Sequence, residues 1–162
     1  MAVFEENWQQ LLDIDISGNT SLDDVSKAKW AFLGAGINSI TPAAAETADA
    51  TAYWDGKGFT SDDVTGKAIT FQIAGHRKVG DPAQDYVASK FFATGDEVKT
   101  LGRWTDPQGN VVTFVATLKA IVPFGGAANA KQTFSFTLSI DGEPQITLAG
   151  ENESKEPAKA SK

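Results

Sequence analysis

The sequence has no cysteine and a single histidine in 162 residues. Without a thiol there is no disulfide framework, no thiolate nucleophile and no cysteine-based zinc site, and one histidine rules out a histidine pair. No run approaches the roughly 18 apolar residues of a membrane-spanning helix. The start, Met-Ala-Val-Phe-Glu-Glu, lacks the basic head and apolar stretch of a signal peptide. Synthesis and folding in the cytoplasm, with no membrane partner, is therefore expected. Bases are also scarce, 14 Lys plus Arg against 21 Asp plus Glu for a formal net charge of −7. Nucleic-acid affinity rests on cationic contacts, so tight nucleic-acid binding is not expected.

What is present suits one domain: 41% apolar residues, with 10 Phe and 4 Trp. A chain of this length removes about 70% of its extended surface from water, enough for a core without metal or disulfide staples. The acidity is local. Residues 1–29 hold six acids and two bases, and 42–66 hold five acids (Glu46, Asp49, Asp55, Asp62, Asp63) against Lys57 alone. From 67 to 150 the chain is close to neutral, with eight bases and seven acids. A local acidic excess ordinarily serves as a solvated face. The end, 151–162, has no aromatic or β-branched residue and is expected to be a disordered charged tail after one domain spanning 1–150.

The dominant hydrophobic period is two. Phe134, Phe136, Leu138 and Ile140 alternate with Thr133, Ser135, Thr137 and Ser139, which puts four large apolar groups on one sheet face. Residues 111–122 repeat the pattern, as do Ile69, Phe71 and Ile73, and Leu12, Ile14 and Ile16 between Asp13 and Asp15. Trp30–Ile40, Thr51–Trp54, Val98–Trp104 and Gln145–Leu148 are further candidate strands. Asp55-Gly56, Asp106 to Asn110, Gly125-Gly126 and Asp141-Gly142 read as turns between strands. The expected fold is mainly β and antiparallel. One segment departs from it: Asp81 as N-cap, Pro82 at the first helical position, Gln84 three after the cap, and Ala83, Val87 and Phe91 at four-residue spacing predict a helix of about three turns, stopped by Gly95.

Residues 42–66 are small, acidic and poor in core-forming residues apart from Tyr53, Trp54 and Phe59. This reads as a long loop, and aromatic groups in such a loop argue for a surface on which something packs. Signals for chemistry are weak. His76, in Ala-Gly-His-Arg-Lys, has no Gly-x-Ser-x-Gly nucleophile to serve and reads as an exposed loop histidine. Gly34-Ala35-Gly36 and Gly125-Gly126 complete no phosphate-binding fingerprint and read as bends. Asp23-Asp24, Asp62-Asp63 and Asp96-Glu97 are carboxylate pairs without an EF-hand loop or other supporting pattern. No enzyme, metal or cofactor is indicated.

The order Lys29-Trp-Ala-Phe-Leu-Gly-Ala-Gly-Ile-Asn-Ser-Ile-Thr-Pro42, then Tyr53-Trp-Asp-Gly-Lys-Gly58, then Val64-Thr-Gly66, resembles the front half of the major tail tube proteins of long, flexible-tailed (siphovirus-type) bacteriophages. Gly75-His-Arg-Lys-Val-Gly-Asp-Pro-Ala-Gln-Asp-Tyr-Val87 resembles that family's strand-exit and helix-start motif. The likeness runs from about residue 11 to 148. It implies an antiparallel β-sandwich or half-barrel with one short α-helix, polymerised into stacked rings, usually hexameric, in the virion tail, around a lumen that conducts DNA during ejection. Implied partners are other copies of the chain and tail-tip (initiator), tape measure and terminator proteins, with DNA only in transit; the place of synthesis is the host bacterial cytoplasm. Some relatives carry an added immunoglobulin-like domain, for which this chain is too short.

Under this resemblance, Tyr53, Trp54, Phe59, Asp62 and Asp63 become candidates for contacts between subunits. Asp13 and Asp15 become candidates for a net-negative or neutral lumen wall, because alternation with Leu12, Ile14 and Ile16 points them away from the core. The competing readings are a monomeric β-sandwich module binding carbohydrate or protein, through an exposed Trp54 or Trp104, and another virion protein of the same fold.

Overall fold

Seven strands and one short helix make up the fold of residues 1–150, the part described by a computed structural model; the expected disordered tail at 151–162 lies outside the described residues. The strands are β1 (Leu11–Asp15), β2 (Trp30–Phe32), β3 (Ile37–Ala52), β4 (Thr60–His76), β5 (Lys99–Thr105), β6 (Val111–Val122) and β7 (Thr133–Thr147), and the helix is α1 (Pro82–Ser89). They form one sheet in the order β2-β1-β5-β6-β7-β4-β3, every neighbouring pair antiparallel.

The connectivity forces this sheet to curl. Its two edge strands, β2 and β3, are consecutive in sequence and joined by only four residues, 33–36. Four residues span at most about 18 Å, whereas seven flat strands would separate the edges by about 29 Å. The curl brings Phe71 of β4 against Trp104 of β5, ring centroids 6.1 Å apart, and against Phe114 of β6 at 5.9 Å. Inside it lie Leu12, Ile14, Ile73, Leu118, Phe134, Phe136 and Leu138, apolar members of the period-two runs, together with Leu33 from the β2–β3 connection.

Helix α1 starts as its sequence predicts, with the Asp81 side chain accepting from the Gln84 amide at 3.0 Å. It ends at Ser89, earlier than expected, and Gly95 belongs to a separate 3-10 turn, Gly95–Val98. Only Ala83, Gln84 and Val87 are buried by this helix; Phe91 lies beyond its end, half exposed and edge-on to Phe92. Asp141-Gly142 is likewise not a turn. Strand β7 runs through it as a bulge, with Gly142 at φ +81° and the pairing with β6 jumping from Val115↔Asp141 to Thr113↔Gln145.

The largest correction concerns 42–66. It is not a loop but the outer part of a hairpin between strands of 16 and 17 residues. Small residues hid the pattern: Ala48, Ala50 and Ala52 alternate with Thr47, Asp49 and Thr51, a period of two with little hydrophobic contrast.

Candidate functional site

Strand β4 pairs with β7 only from Thr70 onward, so Ala44–Ala52 of β3 and Thr60–Ile69 of β4 pair with each other alone. Nine residues at about 3.4 Å each make this two-stranded arm about 30 Å long. Nearly every residue on it is exposed. The arm turns over at 53–59, where Gly56 N donates to Tyr53 O at 3.1 Å and Lys57 N to Trp54 O at 3.2 Å. Lys57 and Gly58 both take positive φ, 55° and 87°. The turn carries Tyr53, Trp54 and Phe59 at 63%, 101% and 82% exposure. Asp62 and Asp63 follow on opposite faces of the ribbon, and Asp63 sits directly across from Asp49. Like charges in that position repel. Farther in, Glu46 and Lys67, also directly opposed, form an ion pair at 3.3 Å.

The second feature is a groove at the seam where the curled sheet fails to close. Phe32 of β2 forms one side, Ile40 and Pro42 at the base of β3 the other, and Leu12, Phe71 and Trp104 the floor. Trp8 and the amides of Asn7 and Asn38 also line it, and its volume is about 780 Å³. None of its lining side chains is charged. Phe32 is half exposed although it belongs to a strand, and its ring lies over Gly34, where a Cβ would come within 2.1 Å of it. The groove was not legible in the sequence because its walls come from four separate segments.

The third is the sheet face opposite the core. Register places Thr41, Gln72, Thr137 and Lys119 in one row across β3, β4, β7 and β6. The next row reads Ala43, Thr70, Ser139, Thr117 and, on β5, Lys99. On the other side lie Ser39, Ala74, Ser135 and Val122. In a chain of net charge −7, these three rows contain seven hydroxyls, one amide, two lysines and no carboxylate.

The two aspartates expected to face away from the core part company. Asp13 lies on the outer side, but its side chain is only 13% exposed and accepts from Arg103 at 2.8 Å, with the guanidinium 4.5 Å over the Trp30 ring. Asp15 corrects the expectation outright: it is fully buried. Its oxygens accept from the amides of Ser17 (2.8 Å), Asn19 (3.0 Å) and Lys29 (2.9 Å), and from the side chains of Ser17 and Asn19. The strand ends at Asp15 and the chain folds back over it, so alternation no longer predicts exposure there. Burial alone would raise this carboxyl, but the hydrogen bonds from Ser17, Lys29 and Asn19 outweigh it and hold it below the usual carboxylate range.

Gln84 serves the helix start through its amide, while its side chain sits buried in the core wall. Its Oε1 accepts from Lys78 N at 2.7 Å, and its Nε2 donates to Ala35 O at 2.7 Å and His76 O at 3.1 Å. This ties α1 to both ends of the β3–β4 base. His76 is exposed at the end of β4. Trp104 is not a free platform, since it packs on Phe71 and donates to Gln10 Oε1 at 2.9 Å. Among the described residues, no group of three or more His, Cys, Asp and Glu side chains is placed to hold a metal.

No family model matches the sequence, and no curated protein matches it significantly. Solved structures do. A chain in the tail of an empty gene transfer agent (GTA) particle, obtained by helical refinement with C6 symmetry, superimposes with a TM-score of 0.69 at 13% identity, over 90% of this chain and 100% of that one. A chain of the virion of the native GTA particle gives 0.67 at 12% identity, over 90% and 100%. At such identities the likeness establishes the fold: a mainly β chain with one antiparallel seven-stranded sheet and one short helix, built as chains of the GTA tail and virion are built.

Proposed function

We propose that this chain is the subunit of a tail tube, stacking as rings of six around a lumen through which DNA passes. The observation that carries the reading is the match, over 90% of this chain, to a chain from a helical tail of C6 symmetry. The role is structural rather than catalytic. A two-stranded ribbon is marginally stable by itself in water, and the arm keeps three large aromatic groups in solvent. Contact with other copies supplies the missing cover, with Tyr53, Trp54 and Phe59 as anchors and the Asp62 and Asp63 charges orienting the approach. Head-to-tail contact of unlike surfaces closes a ring or extends a filament.

For the wall of the conduit the hydroxyl-rich sheet face replaces Asp13 and Asp15. Hydroxyls meet a passing polyanion without the cluster of cations that would hold it. Initiator, tape measure and terminator proteins complete the assembly in this reading. Light scattering of the purified protein over a range of concentrations, with and without its tail tip, tests it. Growth from monomer to rings or longer species is expected; a monomer at every concentration, tail tip included, points to the alternative of a stand-alone binding module.

A further inference from the structure

The arm tip and the groove are complementary surfaces that one molecule cannot bring together. Trp54 stands at the end of a ribbon about 30 Å long whose base, at Ile40 and Pro42, is itself a wall of the groove. A paired ribbon does not fold back on its own root. We propose that the groove between β2 and the base of β3 is the socket for the arm tip of a second copy, with the Trp54 ring inserted against Phe71 and Trp104. This rests on the tail-tube reading and adds to it the identity of the receiving surface.

Three observations select this occupant. The groove carries no charged lining side chain, so the acidic flanks of the arm are unsuited to it, while the turn itself, with Asp55 and Lys57, is neutral overall. Asn7 and Asn38 line the groove and offer amide oxygens to an indole N–H or a phenol O–H, the polar handles that Trp and Tyr must satisfy on burial. Area agrees as well. Three aromatic side chains at about 150 Å² each, with an equal area on the groove side, remove about 900 Å² from water, close to the ~1,000 Å² of a specific contact. Each subunit gives one tip and receives one, so the contact repeats around an assembly.

The other exposed aromatic pair, Phe91 and Phe92, is a weaker occupant. Those rings already meet each other at 4.7 Å, whereas Tyr53, Trp54 and Phe59 have no aromatic partner among the described residues.

The absence of cysteine makes a clean test possible. Two single-cysteine variants, Asp55→Cys at the tip and Ile40→Cys on the groove wall, the second carrying an affinity tag, are mixed with tail tip and treated with a short bismaleimide. The expected product is a covalent dimer containing one of each, with neither variant cross-linking when treated alone. Adding Trp54→Ala to the tip variant lowers the yield by about tenfold or more, the loss expected of an anchor residue. Adding Phe92→Ala leaves it unchanged. Tubes that form without the mixed cross-link overturn the socket and leave the tail-tube reading standing. A mixed cross-link without rings or tubes upholds the socket and overturns that reading; neither product overturns both.

Discussion

Asp15 aims both carboxylate oxygens inward at the chain 16–29 that wraps it, and its charge is what organises that segment. Replacing it with asparagine keeps the size but turns an N–H₂ toward donors. A loss of about 3 kcal/mol is expected, from hydrogen bonds to a charged acceptor and donors left unpaired. The pH dependence has a definite sign. Because the folded carboxyl is held below its ordinary value, its contribution is fully present above about pH 4, the unfolded value, and is lost as pH falls through the folded one. Urea unfolding at pH 7 and near pH 2.5 should therefore show Asp15→Asn well below wild type at the first and closer to it at the second. A constant gap contradicts the account. Gln84→Ala should cost about 2–4 kcal/mol, since it strands the Lys78 amide and the Ala35 and His76 carbonyls. A melting temperature within a degree or two of wild type would show that water replaces all three partners.

At the scale of elements, legibility in the sequence followed burial. Strands β6 and β7 were visible because one face of each meets the core, so Phe134, Phe136 and Leu138 alternate with Ser and Thr at full contrast. The arm has no buried face, and its period of two in Ala, Thr and Asp looked like a loop. Its aromatic tip was legible; the groove that faces the seam was not. Gln84 was visible at the start of a helix, but its bonds to Ala35 and His76 depend on contacts that no local pattern encodes. Because the arm pairs only with itself beyond Ala43 and Thr70, replacing 45–68 with Asn-Gly should close a tight hairpin between Ala44 and Ile69. The shortened protein should unfold within a few degrees of wild type and fail to polymerise. Normal-length tubes from it would remove the arm from the assembly account; failure to fold would assign the arm to the core.

For the molecule as a whole, the distribution of charge matters more than its sum. The acids gather in 1–29 and on the arm, while the three hydroxyl-rich rows hold two lysines and no carboxylate, Lys99 being paired at 3.0 Å with Asp141 beyond them. If that face lines the conduit, Thr137→Lys with Ser139→Lys should leave assembly intact yet make the tubes retain duplex DNA on sedimentation, steeply less so as salt rises. Tubes carrying both lysines that retain no more DNA than wild type would place the face elsewhere.

The most direct test of the tail-tube account is electron microscopy of the concentrated protein in the presence of its tail tip. The account predicts hollow tubes of uniform diameter whose end-on views average to a sixfold ring. Fields containing only monomer-sized particles, at concentrations where the protein remains folded, would contradict it.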